Sequence, residues 1–276
     1  MEIISSVAAL RQRLSAENSV SFVPTMGNLH EGHLDLVRIA HQHGQCVVVS
    51  IFVNPLQFGV NEDFGQYPRT FQADCDKLRA SDVAVVFAPT EADMYPQAQQ
   101  VTVAPPAIAQ ELCGAFRPGH FSGVATVVLK FLNIVQPQVA IFGKKDYQQL
   151  HVVRQMAEQL NVPVQIVGAE TMRAADGLAL SSRNQYLNPV ERTEATFLYL
   201  MLTEIKQALQ NGAKNHAQLE EKAVNALLAH GWQVDYVAIR CQASLLPPVP
   251  GERELVVLAA ARLGKTRLID NVEACL

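Results

Sequence analysis

Three widespread active-site signatures are missing from this chain. It has no Gly-x-x-x-x-Gly-Lys-Ser/Thr loop, no Gly-x-Gly-x-x-Gly fingerprint and no Gly-x-Ser-x-Gly elbow, so any phosphate it binds must be held by histidines, lysines and helix ends. Its five cysteines, Cys46, Cys75, Cys113, Cys241 and Cys275, are odd in number and form no Cys-x-x-Cys pair. That argues against a disulfide framework or a zinc site and leaves most of them as small core residues. No apolar run approaches the ~18 residues a membrane span needs, and Met1–Ser6 lack a basic start followed by an apolar stretch, so a soluble cytoplasmic protein is expected. The net charge of −4 is spread without a basic stripe, which excludes an electrostatic footprint for nucleic acid. There is no internal repeat or low-complexity tract.

At 276 residues, 49% of them hydrophobic, the chain can build one large or two modest cores. Strand-like apolar runs recur at residues 20–23, 46–53, 83–88, 139–142 and 164–167. Helical patterns lie between them at 31–43, 70–80, 121–135 and 146–160, the third closed by Pro137. This alternation predicts an α/β fold, a doubly wound Rossmann-like parallel sheet covered on both faces, with ligands outside the carboxyl ends of its strands. After residue 171 two long helices, near 190–210 and 217–230, precede strands at 233–240, 254–261 and 266–269. A smaller C-terminal α+β domain is therefore expected at 172–276, after a first domain at 1–171. The boundary falls within the loop-like stretch 172–184.

The most informative segment, Pro24-Thr25-Met26-Gly27-Asn28-Leu29-His30-Glu31-Gly32-His33, follows the apolar run 20–23. Two histidines three apart would share one face of the first helical turn, where unpaired N–H groups and the helix dipole favour an anion such as phosphate. Gly27 and Gly32 would let the backbone approach closely. A plain strand-to-helix turn with ordinary histidines is the bland alternative. Gly143-Lys144-Lys145-Asp146 follows another apolar run. Asp146 suits a helix start, but two lysines beside a positive helix end are misplaced unless an anion joins them. One of Gln148 and Gln149 would face the pocket. Leu180-Ser181-Ser182-Arg183 offers hydroxyls and a guanidinium suited to phosphate, a weak signal by itself. Asn54 and Gln57 supply neutral amides suited to a small hydroxylated substrate, although Asn54-Pro55 also reads as a simple turn. Arg117, His120, Arg69 and Tyr67 are further polar candidates for which a structural role is equally open.

Together, residues 24–33, 50–58, 67–70, 117–123, 142–150 and 176–184, down to Arg267-Leu268-Ile269-Asp270-Asn271, closely resemble the pantothenate synthetase (pantoate–β-alanine ligase) family of the nucleotidyltransferase superfamily. The resemblance implies an ATP-dependent, AMP-forming ligase of coenzyme A precursor synthesis. In it, pantoate attacks the α-phosphate and β-alanine then attacks the pantoyl adenylate. It assigns Met26, Gly27, Asn28, Leu29, His30, Glu31, Gly32 and His33 to ATP, with His33 and His30 as catalytic histidines. Gly143, Lys144, Lys145 and Asp146 would hold ribose and phosphate, with Lys145 on the α-phosphate. Met172, Leu180, Ser181, Ser182 and Arg183 would close over adenine and phosphates as a mobile loop, Arg183 and Lys145 counting with the histidines as catalytic. Gln57 and Gln149 would bind pantoate, Pro24 and Thr25 would line its site, and Asn54 would lie near β-alanine. Mg²⁺ is implied with its ligands unknown, Asp74 and Asp76 being outer-shell candidates, and a homodimer is expected. A nucleotidyltransferase that stops at a nucleotide product and a nucleotide-sensing module without turnover are the rival readings.

Overall fold

A computed structural model describes residues 1–60 and 62–276. The chain forms two compact units, one of residues 1–109, 117–144 and 149–170, the other of 110–116, 145–148 and 171–276. The second unit thus takes in two short segments that a linear division after residue 171 leaves in the first.

In the first unit, β1 (Glu2–Ile4), β2 (Val20–Thr25), β3 (Cys46–Ile51), β4 (Val85–Phe87), β5 (Val139–Gly143) and β6 (Gln165–Ala169) form one parallel sheet in the order β1-β4-β3-β2-β5-β6. Side chains alternate across it. Val23, Val47, Val49, Val86 and Ile141 join Val37, Ala40 and Leu78 in one core, supplied by helices Glu31–Ala40 and Phe71–Ala80. Phe22 and Phe87 meet Phe131 of helix His120–Val135, with ring centroids 5.7 and 6.2 Å apart. Both faces are covered, which explains strands that read as continuous apolar runs. The strand order reverses between β2 and β5, the point where such sheets bind ligands. β1 and helix Val7–Leu14 carry no expectation from the sequence, since three residues of edge strand are too few for a period to register.

In the second unit, β7 (Gln233–Cys241), β8 (Glu254–Leu263) and β9 (Thr266–Cys275) form an antiparallel sheet with β8 central. Gly264, at φ +56°, begins the two-residue turn between β8 and β9. One core joins Trp232, Leu255 and Val257 to Leu202 and Leu227 of helices Thr196–Gln210 and His216–Ala229. The single helix expected over 190–210 is instead two, Pro189–Glu194 and Thr196–Gln210, meeting at Ala195. Around that junction the hydroxyls of Thr193 and Thr196 bond back to the carbonyls of Pro189 and Thr193, a pattern that bends helices. Cys46, Cys75 and Cys113 are buried as expected, but Cys241 is only partly so and Cys275 is exposed. Among the described residues no helix is long and apolar enough to cross a membrane.

Candidate active site

At the end of β2 the chain turns sharply before its helix. Thr25 Oγ1 donates to the Ser50 carbonyl at 2.6 Å and accepts the Gly27 N–H at 3.2 Å. Gly27 and Asn28 then take left-handed conformations, at φ +82° and +51°. A Cβ at Gly27 would stand 3.1 Å from both Asp74 Oδ2 and Ile51 Cγ2, so this glycine serves close approach as well as turning. His30 occupies the N-cap of helix Glu31–Ala40, one place before the first turn expected for it, and His33 the third helical position. The caps are reciprocal. His30 Nδ1 accepts the Gly32 N–H at 3.1 Å, and His33 Nδ1 accepts the His30 N–H at 3.3 Å. With both Nδ1 atoms accepting, each neutral ring carries its proton on Nε2, as a donor. The ring centroids lie 4.1 Å apart.

Beside this turn, still in the first unit, Gln57 Nε2 donates to Met26 Sδ at 3.1 Å, so two residues separate in sequence meet. Gln57 is held from behind. Asn54 is 1% exposed; its amide donates to Gln57 Oε1 (3.1 Å) and the Gly123 carbonyl (3.2 Å) and accepts from the Tyr95 hydroxyl (2.7 Å). Asn54 therefore holds Gln57 in place and is not itself an available amide. Glu62, Arg117 and His120 form a chain ending on the same residue. Arg117 Nε donates to Glu62 Oε1 (2.7 Å), Arg117 Nη1 to His120 Nε2 (3.0 Å), and His120 Nδ1 to the Gln57 carbonyl (2.8 Å). Burial pushes the Glu62 carboxyl up, but the hydrogen bonds and charge of Arg117 outweigh it and hold the group below the usual range. Gly123 completes the support, because a Cβ there would fall 2.1 Å from the Leu56 carbonyl oxygen. The sequence offers a signal for it only in hindsight, a lone glycine inside an apolar helix. Arg69 bonds to the carbonyls of Tyr67 and Phe64, a structural role.

β5 leads into Gly143 and Lys144. Lys144 Nζ lies 2.6 Å from Glu170 Oε1, so part of the anionic charge that the sequence argument demanded comes from the protein itself. Lys145, in the second unit, has the Asp146 carboxylate at a longer 3.9 Å. Its backbone carbonyl accepts from Asn271 Nδ2 at 3.0 Å, and the neighbouring Tyr147 hydroxyl lies 3.0 Å from Glu273, fastening this segment to β9. Nothing local in the sequence links Asn271 to Lys145, since the two lie 126 positions apart. Gln148 is spoken for: its amide accepts from the Cys113 N–H and donates to the Glu111 carbonyl. Gln149 is partly exposed.

The segment after residue 171 is more ordered than its composition implies. Arg173 pairs bidentately with Asp270 at 2.6 and 2.8 Å, lies 3.8 Å over the Tyr199 ring and donates to the Gly177 carbonyl. Arg173 and Ala179 form an antiparallel bridge around a turn at Gly177, φ +93°. Leu178 and Ala179 are buried, which anchors this half of the loop-like stretch. Leu180 N–H donates to the Met172 carbonyl, and Ser181 caps a short 3₁₀ turn, Ser182–Tyr186, by accepting the Arg183 N–H.

Known proteins resemble this chain over almost its whole length. Residues 2–273 match the family model described as pantoate-beta-alanine ligase. The chain is 56% identical over 273 residues to a pantothenate synthetase of Nitrosospira multiformis, covering 99% of this chain and 98% of that protein. It is 58% identical over 274 residues to one of Chromobacterium violaceum, covering 99% of each. A crystal structure of pantothenate synthetase from Thermus thermophilus superposes with a TM-score of 0.93 at 44% identity, over 99% of both chains. The Francisella tularensis pantoate-beta-alanine ligase, complexed with beta-gamma ATP and beta-alanine, gives 0.84 at 33% identity, over 99% of this chain and 97% of that one. With a match from residue 2 to 273 and relatives alike over almost their entire length, the chain belongs to the pantoate-beta-alanine ligase family.

Proposed function

We propose that the histidine turn, Lys145 and the Ser181–Arg183 segment carry the adenylation, and that Gln57 and Gln149 select its acid substrate. The overall reaction is the ATP-dependent condensation of (R)-pantoate with β-alanine. A pantoate carboxylate oxygen bonds to the α-phosphorus as the bond to pyrophosphate breaks. The β-alanine amine then attacks the acyl carbon, loses a proton and expels AMP, leaving pantothenate.

The observation that carries the assignment is the reciprocal histidine cap at the strand-order reversal, which fixes both rings as Nε2–H donors. Carboxylate attack on a triphosphate crowds anions together. Preformed donors at a helix N-terminus and a cationic Lys145 offset that charge without reorganising during the reaction. Lys144, Gly143 and Asp146 would hold the ribose and phosphates, and Met172 with Leu180–Arg183 would shield the reactive adenylate from water. Pro24 and Thr25 would border pantoate, and Asn54 would bear on β-alanine through the Gln57 pocket.

Magnesium would enter on the phosphates, supplying charge neutralisation there. Asp74 gives its oxygens to backbone N–H groups and the Thr70 hydroxyl, and Asp76 pairs with Arg79 at the surface. Among the described residues no group of three or more His, Cys, Asp or Glu could hold a metal; the ion would keep its waters and ride on the substrate phosphates.

Pyrophosphate release with pantoate, with and without β-alanine, tests the reading. Turnover should be sustained only with β-alanine and yield AMP and an amide stoichiometrically. Amide-free turnover would indicate a nucleotidyltransferase, and ATP binding without pyrophosphate a sensing module. A cytoplasmic homodimer is part of the proposal. Light scattering should give twice the 30.2 kDa chain mass.

A further inference from the structure

The histidine turn places two consecutive residues, Gly27 and Asn28, in the left-handed region, freely open to the glycine but not to the asparagine. For a non-glycine residue that conformation costs about 1 kcal/mol or more, and it persists only where the surroundings hold it. The holder is helix Phe71–Ala80, roughly 40 residues further along the chain. Asp74, in its first turn and 0% exposed, accepts the Asn28 N–H on Oδ2 and the Leu29 N–H on Oδ1, each at 2.8 Å. One helical turn on, Lys77 Nζ donates to the Leu29 carbonyl. Thr70 Oγ1 lies 3.1 Å from both Asp74 oxygens and 3.4 Å from Asn28 Oδ1. The helix therefore grips Leu29, the residue before the His30 cap, by both ends of its backbone.

Two N–H groups on successive residues require two acceptors held side by side, and a carboxylate provides them in one rigid group. An isosteric amide can accept only one and would turn a donor toward the other. Nothing about catalysis requires the acid itself to reach substrate. We propose that Asp74, seconded by Lys77, is a positioning residue for the adenylation: it fixes the strained turn whose geometry aims His30 and His33. The inference rests on the reading that this turn carries the adenylation. It also explains why a buried acid stands beside a site for anions, since its charge is satisfied by the backbone of the turn.

The test compares Asp74→Asn, Lys77→Met, His33→Ala and Asp74→Asn/His33→Ala in pantoate-dependent pyrophosphate release, alongside thermal unfolding. Asp74→Asn should lower kcat at least tenfold while the KM for pantoate stays within twofold, because Gln57 is supported from other elements. In the His33→Ala background the same change should cost no more than a further threefold, since only His30 is then left for the turn to aim. Lys77→Met, at an exposed position, should lower kcat about threefold with little change in Tm. Asp74→Asn within twofold of wild-type kcat overturns the proposal, as does a loss that multiplies in full with His33→Ala or raises the pantoate KM in parallel. If Asp74→Asn does not fold, Lys77→Met decides, and an unchanged kcat there overturns it. Near-normal turnover by His33→Ala would instead sink the underlying reading of the turn; a crippled His33→Ala beside a normal Asp74→Asn would sink this inference alone.

Discussion

His30 and His33 cap one helix reciprocally, each Nδ1 accepting a backbone N–H of the same turn, at 3.1 and 3.3 Å. The arrangement ties tautomer to fold, because a proton on either Nδ1 would break a cap and leave a backbone N–H unmet. Replacing His33 by alanine should therefore lower kcat by roughly two orders of magnitude or more, as should Lys145→Ala, with a much smaller loss in ATP binding. Steady-state kinetics and calorimetric ATP titration read the two effects separately. Near-normal turnover in either variant would remove that residue from the chemistry.

The two halves of the 172–184 segment make different predictions. Amides of Ala174, Gly177 and Leu180 are hydrogen-bonded within the hairpin, and Leu178 is buried. Hydrogen exchange should find them protected with or without ligand, with the gain on adding ATP and pantoate confined to about Ser181–Arg183. A gain spread evenly over the whole segment, or none, would count against local closure.

Gln57 and Gln149 should set acid selectivity. A deoxy analogue of pantoate would leave amide groups unsatisfied at about 1–3 kcal/mol apiece. Gln57→Ala and Gln149→Ala should raise the KM for pantoate and shrink its advantage over the analogue, while ATP affinity stays close to wild type. Full retention of selectivity in both would move the search to Arg117 and His120.

Gly123→Ala should imitate a Gln57 defect without touching Gln57. The new Cβ meets backbone at 2.1 Å, so the Leu56–Gln57 segment must move, at a cost of about 1–3 kcal/mol for overpacking. A pantoate KM raised severalfold together with a lower Tm is expected. An unchanged KM would mean that the pocket does not depend on this docking.

The Glu62–Arg117 pair gives a pH dependence with a definite sign. The folded-state pKa of Glu62 lies below its ordinary value, so its contribution to stability is complete above the unfolded value, about 4.3, and is lost as pH falls through the lower folded value. Urea midpoints of wild type and Glu62→Gln should differ at pH 7 and converge as pH drops below about 4. A constant gap would show that the charge is irrelevant.

Much of this protein is written locally. The apolar runs at 20–23, 46–53 and 139–142 and the helical periods between them specify β2, β3, β5 and their covering helices, because alternation of strand and helix already implies parallel crossover units. His30 and His33, three apart after a strand, similarly announce a capped helix start. What the sequence could not contain is who holds whom. Asp74 reaches Asn28 and Leu29 across 46 and 45 positions, His120 reaches Gln57 across 63, and Asn271 reaches Lys145 across 126. The same long-range pairing turns the Arg173–Ala179 stretch from an apparent loop into an anchored hairpin, since Arg173 finds Asp270 across 97 positions. Local periodicity reflects each residue's preference for water or core and survives in a linear text. Hydrogen bonds between distant segments depend on backbone groups that every residue shares, so only the folded chain decides which of them meet.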